Sequence, residues 1–237
     1  MSTQLTFGFG GHRPALGRED FLVAPCNAHA VALIDRWPDW PRSILVLTGP
    51  EGAGKTHLTE VWRARSAASV LGPDALADVA RAETLAANIL IDGLDADAPL
   101  GPPHPDRRAW EMALCRFLDA AARRSGGTLL LTARRPPATW AVELPDLRTR
   151  LAAVPVTSLG PPDDELMRRL ADKLFADRQL QVPEPAAEEM LALIERSSQA
   201  LMTAVDALDR ASLEARQRVL TRAFVRSVLA PRPDTDA

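Results

Sequence analysis

Lysine is nearly absent from this chain. Of 28 basic residues only Lys55 and Lys173 are lysine, the rest being arginine, so each lysine marks a position worth examining. Cysteine is scarce too. Cys26 and Cys115 stand far apart with no metal-ligand spacing, which argues for reduced, partly buried thiols and against a disulfide framework. His12, His29, His57 and His104 also lack ligand spacing, so a zinc site is not expected. No run approaches about 18 uncharged apolar residues, which excludes a membrane-spanning helix. The start, Met1-Ser2-Thr3-Gln4, has neither the basic nor the apolar region of a secretory leader, and the expected compartment is the cytoplasm. Positive charge is not in excess. With 31 acidic residues the net charge is −3, so DNA binding chiefly through the chain's own surface is not expected. No Ser/His/Asp or Cys/His set suggests nucleophilic catalysis.

What is present is globular. The 237 residues are 46% hydrophobic and 25% charged, enough for one or two domains with a real core. Apolar spacing predicts a helix over 27–37, ended by Pro38. The continuous apolar runs 44–47, 89–91 and 128–131 suit buried parallel strands, and 154–157 suits a last strand. Helices are predicted over 56–66, 107–124 and 145–151, the last with Pro145 at its start. Residues 97–106 carry four prolines and read as a loop. After Gly160-Pro161-Pro162 the pattern is helical throughout: 163–179, 185–196, 200–214 and 222–229. The expected fold is α/β, a parallel sheet flanked by helices and followed by a small all-helical domain. The divisions are a flexible segment 1–18, an α/β domain 19–159, a helical domain 160–231 and a tail 232–237. Trp37, Trp40, Trp62, Trp110 and Trp140 read as core or interface.

One motif carries chemistry. Gly49-Pro50-Glu51-Gly52-Ala53-Gly54-Lys55-Thr56 fits G-x-x-x-x-G-K-[ST], between a buried strand and a helix. Gly49, Gly52 and Gly54 let the backbone turn its N–H groups toward phosphate oxygens. Lys55 supplies a mobile charge for the outer phosphates, and the helix that follows adds its positive end. Thr56 offers a hydroxyl to Mg²⁺, and Asp92, ending the strand at 89–91, offers a carboxylate beside it. The expected cofactors are ADP or ATP with Mg²⁺. Gly93 follows where many ATPases carry a water-polarising acid, and Asp95 could substitute only through a longer reach.

These features, a P-loop domain with a small helical lid, resemble the AAA+ family. Gly54-Lys55-Thr56-His57-Leu58, with Asn27 upstream, is similar to the nucleotide-binding domain of the replication initiator DnaA. Leu131-Thr132-Ala133-Arg134-Arg135-Pro136-Pro137, Leu144 to Leu151 and Val205 to Ser212 resemble the DnaA-related regulators of the Hda group, over residues 20 to 230. The resemblance implies negative regulation of replication initiation through DnaA. It adds His57, Thr132 and Gln199 to the nucleotide-binding set. It makes Gln4, Leu5, Phe7 and Phe9 a motif for docking on the DNA polymerase III sliding clamp, although Phe7 and Phe9 packed on the chain's own core is an alternative. DNA would then be reached indirectly, through the clamp. In Leu147-Arg148-Thr149-Arg150-Leu151, Arg150 matches the family's trans-acting arginine finger and Arg148 does not, an exposed helix face being the other reading.

Three positions depart from the family pattern. Arg134 stands where relatives carry an Asp. Gln199 stands where their lid carries a nucleotide-sensing Arg, with Arg196 one turn away. With Gly93, these changes put self-catalysed hydrolysis in doubt. No DNA-reading domain is expected after the lid. Arg218, Arg222 and Arg226 form a basic stripe that reads as a solvated face or as a DNA or partner contact. A homo-oligomer, a dimer or a higher assembly, is expected. An independent ATPase such as a helicase loader, and a passive DnaA-binding adaptor, are the alternatives.

Overall fold

The computed structural model describes residues 17–72, 88–94, 107–123 and 127–230. The candidate clamp motif Gln4, Leu5, Phe7 and Phe9, the loop 97–106, Asp95, His12, His104 and the tail lie outside the described residues.

Five strands form one parallel sheet: β1 (Ile44–Thr48), β2 (Ser69–Leu71), β3 (Asn88–Ile91), β4 (Thr128–Ala133) and β5 (Val156–Ser158), in the spatial order β2-β3-β4-β1-β5. Parallel neighbours require crossover connections, and helices supply them. The central strands alternate their side chains between two apolar faces, which explains their unbroken hydrophobic runs. Ile44, Val46, Ile89, Ile91, Leu129 and Leu131 face one core with Trp110, Leu114 and Phe117. Leu45, Leu47, Leu90 and Leu130 face the other with Val31, Ile34, Leu58 and Trp62.

The second core is covered by α1 (Ala28–Asp35) and α2 (Lys55–Ser66). The first is covered by α3 (Arg107–Arg123) and α4 (Pro145–Ala152). The edge strand β2 is absent from the sequence reading. Three residues, with Val70 exposed and Ser69 half-buried, leave too little pattern to see. The last strand lies two residues later than expected at its start, because Pro155 cannot donate to the ladder and its carbonyl instead accepts from Val46 N–H.

The helical region comprises α5 (Asp164–Asp177), α6 (Glu184–Leu193), α7 (Ser198–Glu214) and α8 (Arg222–Leu229) around Phe175, Met190, Leu201, Val205, Leu208 and Val225. Asp163, Ser197 and Thr221 cap α5, α7 and α8 by accepting from the amides of Leu166, Ala200 and Phe224. The helix expected to reach Arg196 ends at Leu193, where Ile194 is extended and the chain turns into the Ser197 cap.

Helical and α/β regions are stapled through the segment before α1. Gly160 N–H donates to Cys26 O at 2.8 Å, and Arg169 donates to Val23 O at 3.2 Å. Lys173, one of the two lysines, lies 2.7 Å from Asp20 and 3.0 Å from Asp177. Its pair with Asp20 is largely enclosed, the side chains being 25% and 18% exposed. The hydrogen bond from Lys173 holds the Asp20 carboxyl below its ordinary value against the opposing effect of burial.

A carboxyl depressed in the fold stabilises above its unfolded pKa and loses that contribution as pH falls. A double-mutant cycle of Asp20→Asn and Lys173→Met should therefore show a coupling of about 0.5–2 kcal/mol in urea unfolding at neutral pH. That coupling should fade as pH falls through and below about 4, the ordinary carboxylate range. A coupling that is zero at neutral pH would remove the staple.

Candidate nucleotide site

The carboxyl ends of β1, β3 and β4 converge on the loop 49–54, and the sheet order makes this a crevice of the kind where α/β proteins hold ligands. Gly49 N–H donates to Ala133 O at 3.2 Å, tying the loop's first residue to the end of β4. Gly54 caps α2 at φ +93°, and Gly52 has φ +71°; both belong to the region that favours glycine. Gly52 is needed for a second reason. A Cβ there would stand 2.4 Å from the Ser197 Cβ, and the Gly52 carbonyl accepts from Ser198 N–H at 3.0 Å. The start of α7 thus rests directly on the phosphate loop. Gln199, the second residue of that helix, is exposed beside this contact.

Lys55 Nζ is folded onto the loop, donating to Gly49 O at 2.7 Å and Pro50 O at 2.9 Å. Thr56 is exposed in the first turn of α2. Asp92 follows the last residue of β3, partly exposed, with its Oδ1 accepting from Thr132 Oγ1. Thr132 is 0% exposed and spends its hydroxyl and its carbonyl on this corner. Its hydroxyl accepts from Gly93 N–H at 2.9 Å, and its carbonyl accepts from Leu94 N–H at 3.0 Å. The chain after β3 is therefore fixed by one side chain of β4. The donor set fits the expected ligands: hydroxyl and carboxylate oxygens for Mg²⁺, backbone N–H groups and Lys55 for phosphate.

His57 is placed differently from the rest. Its Nε2 lies 3.3 Å from Gly17 O and its ring meets Phe21 edge-on at 5.0 Å. Burial pushes its pKa below the usual histidine value. Asn27 is buried and pins the loop before α1, accepting from Ala24 N–H and donating to Leu22 O, each at 2.9 Å. Arg196 pairs with Asp164 at 2.7 Å. Arg134 pairs with Glu51 of the loop at 3.1 Å.

Arg150 stands on α4, which packs on the first core, whereas α2 packs on the second. The guanidinium is gripped by Asp119 of α3 and by Asp146 one turn back, the latter at 3.1 Å. Asp146 also accepts from the Cys115 thiol at 3.1 Å, and burial first, then this bond, raises the thiol's pKa and keeps it a donor. Arg148 turns elsewhere, donating to Val142 O at 2.6 Å. Glu111 is a further anchor that the sequence pattern does not single out. Its buried carboxylate accepts from Glu143 N–H at 2.9 Å and Leu144 N–H at 2.6 Å, anchoring the entry to α4. The only signal was an acid set among Trp110, Leu114 and Phe117 on an apolar helix face.

The stripe is divided. Arg222 and Arg226 both bond the buried Glu189, holding α8 on α6, and these bonds draw its pKa below the usual carboxylate value. Arg218 lies 3.7 Å from Asp209. Among the described residues no group of three or more His, Cys, Asp or Glu could hold a metal ion, and no helix is long and apolar enough to cross a membrane.

A family model described as the Hda lid domain matches residues 163–229. An uncharacterised protein of Haemophilus influenzae is 30% identical over 199 residues, covering 81% of this chain and 83% of that protein. Domain III of the Thermotoga maritima replication initiation protein DnaA superposes with a TM-score of 0.72 at 18% identity, over 92% of this chain and 99% of that one. AMPPCP-bound DnaA of Aquifex aeolicus gives 0.66 at 12% identity, over 86% and 70%. The RuvB Holliday junction branch migration motor of T. maritima gives 0.60 at 14% identity, over 78% and 60%. The fold is that of the AAA+ proteins.

Thr132→Val keeps the volume and strips the corner of its hydroxyl. Unfolding by urea should show a loss of about 1–3 kcal/mol, because the Gly93 amide loses its acceptor. Thr132→Ser should recover most of it; a valine variant as stable as wild type would show that the corner is held by other means.

Proposed function

This chain belongs to the Hda-like, DnaA-related AAA+ proteins, and on that premise we propose that it is a nucleotide-bound negative regulator of replication initiation. Gly49, Gly52, Gly54, Lys55, Thr56 and Asp92 would hold ADP or ATP with Mg²⁺, with His57, Thr132 and Gln199 around them. The cation would neutralise phosphate charge between the Thr56 hydroxyl and the Asp92 carboxylate. The segment bearing Gln4, Leu5, Phe7 and Phe9 would tether the protein to the DNA polymerase III sliding clamp, and so to DNA and the cytoplasmic replication machinery. Arg150 would act on ATP held by DnaA. Tethering raises the local concentration of the two partners, so weak contacts between their faces suffice.

The observation that carries this reading is the placement of Arg150. Its helix covers the face of the sheet away from α2, so its guanidinium does not serve the chain's own phosphate loop. Asp119 and Asp146 hold it in one place on the surface, which suits delivery to a second molecule. A guanidinium brought to a transferring phosphoryl group stabilises charge that develops only in the transition state. Gly93 supports the same division of labour. It has no carboxylate to polarise water, as an independent motor or helicase loader would need.

The deciding experiment measures turnover of ATP preloaded on DnaA, in the presence of DNA-loaded clamp. The wild-type chain should accelerate it, and Arg150→Ala should lower the stimulated rate by about a thousandfold or more. A passive adaptor would tolerate Arg150→Ala. A wild-type chain that leaves DnaA-bound ATP untouched would overturn the proposal.

A further inference from the structure

We propose that the C-terminal end of the lid is a contact surface for the phosphate backbone of duplex DNA, with Arg216, Arg218, Arg222 and Arg226 as its cations. In the reading above the clamp alone brings the protein to DNA. Here the lid touches the duplex itself, with neither nucleotide nor DnaA required.

Charge is segregated within the lid. Residues 163–209 carry eleven acids and five bases, whereas residues 210–229 carry five arginines and one acid. A chain of net charge −3 thus keeps a concentrated positive end. The acidic remainder repels a polyanion, which directs one to this end.

The fold holds this end away from the phosphate loop. Helix α7 has 17 residues, so it is about 25 Å long. Its first residues rest on Gly52, and Arg216 lies two residues past its other end. A duplex bound there leaves the phosphate loop open. The turn into α8 is pinned: Gln181 N–H donates to the Arg218 carbonyl at 2.9 Å, and Leu220 N–H donates to the Gln181 carbonyl at 2.8 Å.

Arg222 and Arg226 are prepared for anions. They stand one turn apart on α8, with Cβ atoms about 5–6 Å from each other. Both bond the buried Glu189 through Nε, at 2.5 and 2.8 Å, which fixes their stems. The side chains nevertheless stay 64% and 58% exposed. Two guanidiniums on one carboxylate leave a net positive charge. A planar fork that is already oriented loses little freedom on meeting a phosphate.

The chemistry of the face favours DNA over an acidic protein. The exposed residues of α8 are Arg222, Ala223, Arg226 and Ser227, and they line one open hollow. A protein interface is built around apolar or aromatic anchors, and this helix face presents none. Small side chains beside the cations let a phosphate backbone come close. Such contacts carry no sequence information, so any duplex serves. A few cations on an acidic chain bind weakly, which suits a protein already tethered beside the duplex.

The test is fluorescence anisotropy of the full chain on a labelled duplex of about 20 base pairs, over about 25–200 mM salt, without nucleotide, DnaA or clamp. Wild type should bind, and log affinity should fall against log salt with a slope of about −3 to −4, one phosphate per arginine. Glu189→Gln combined with Arg222→Gln and Arg226→Gln removes both guanidiniums without stranding a buried carboxylate, and should flatten the slope by about two. Arg216→Asn with Arg218→Gln should flatten it by about as much, and carries the test should the triple variant unfold. Asparagine suits the left-handed backbone at residue 216, where φ is +52°. Absence of binding at the lowest salt, or a wild-type slope in either folded variant, would overturn the assignment. So would displacement of the labelled duplex by polyglutamate as readily as by unlabelled duplex at equal charge, which would make an acidic protein surface the occupant.

Discussion

The side chain that Gly52 lacks is the space that Ser197 occupies. No other residue permits the carbonyl of the phosphate loop to meet the amide that opens α7, because a Cβ would lie 2.4 Å from the Ser197 Cβ. That meeting sets where the helical lid stands. Three further attachments complete it, the Gly160 amide on the Cys26 carbonyl, Arg169 on the Val23 carbonyl and the Lys173 ammonium on Asp20. One contact alone would leave the lid free to pivot. Three points, on the loop, the linker and α5, define an orientation. The segment 17–27 serves two of them and also packs Phe21 against His57 in the first turn of α2. The phosphate loop thus meets the lid directly through short, packed contacts and not across the length of the sheet.

The same economy appears in the charges. A chain with nearly equal numbers of acidic and basic residues puts many of its arginines into defined pairs. Their weight differs with enclosure. Arg63 on Glu60 is a surface pair within one helix and adds a few tenths of a kcal/mol at most. Arg222 and Arg226 on buried Glu189 hold a short terminal helix that would otherwise be marginal by itself. Removing the carboxylate there leaves two guanidinium groups without their anchor, and removing both arginines strands a buried charge. That role accounts for two of the three arginines of the basic stripe as lid architecture.

The phosphate loop was legible in the sequence because its chemistry is local: glycine, lysine and threonine at fixed spacing between a strand and a helix. The central strands were legible because both faces are buried and the apolar run is unbroken. What escaped depends on neighbours brought from afar. Thr132 reads as one polar residue ending a hydrophobic strand; only its register beside β3 reveals that it fixes Asp92 and Gly93. Glu111 reads as a flaw in an apolar helix face until the amides of residues 143 and 144 arrive to bond it. Arg150 could be named from Leu147 to Leu151, but the carboxylate that grips it from α3 lies 31 residues away in sequence. The edge strand β2 had too few buried positions to leave a period.

The two faces of the sheet bear directly on how one fold could keep binding and hydrolysis apart. Residues that alternate along β1 send Leu45 and Leu47 toward α2, and Ile44 and Val46 toward α3 and α4. The phosphate loop and the helix of Arg150 are thus anchored to opposite sides of the same strand. A rigid parallel sheet keeps those sides apart by its own thickness plus a layer of packed side chains. Arg150 cannot fold back onto Lys55 without unpacking Leu147 and Leu151, both buried in the first core. The loss on exposing either leucine is about 1.5–3 kcal/mol, far more than an exposed ion pair returns. A guanidinium held there stays with the helix that packs on the first core, away from the helix that opens with Lys55.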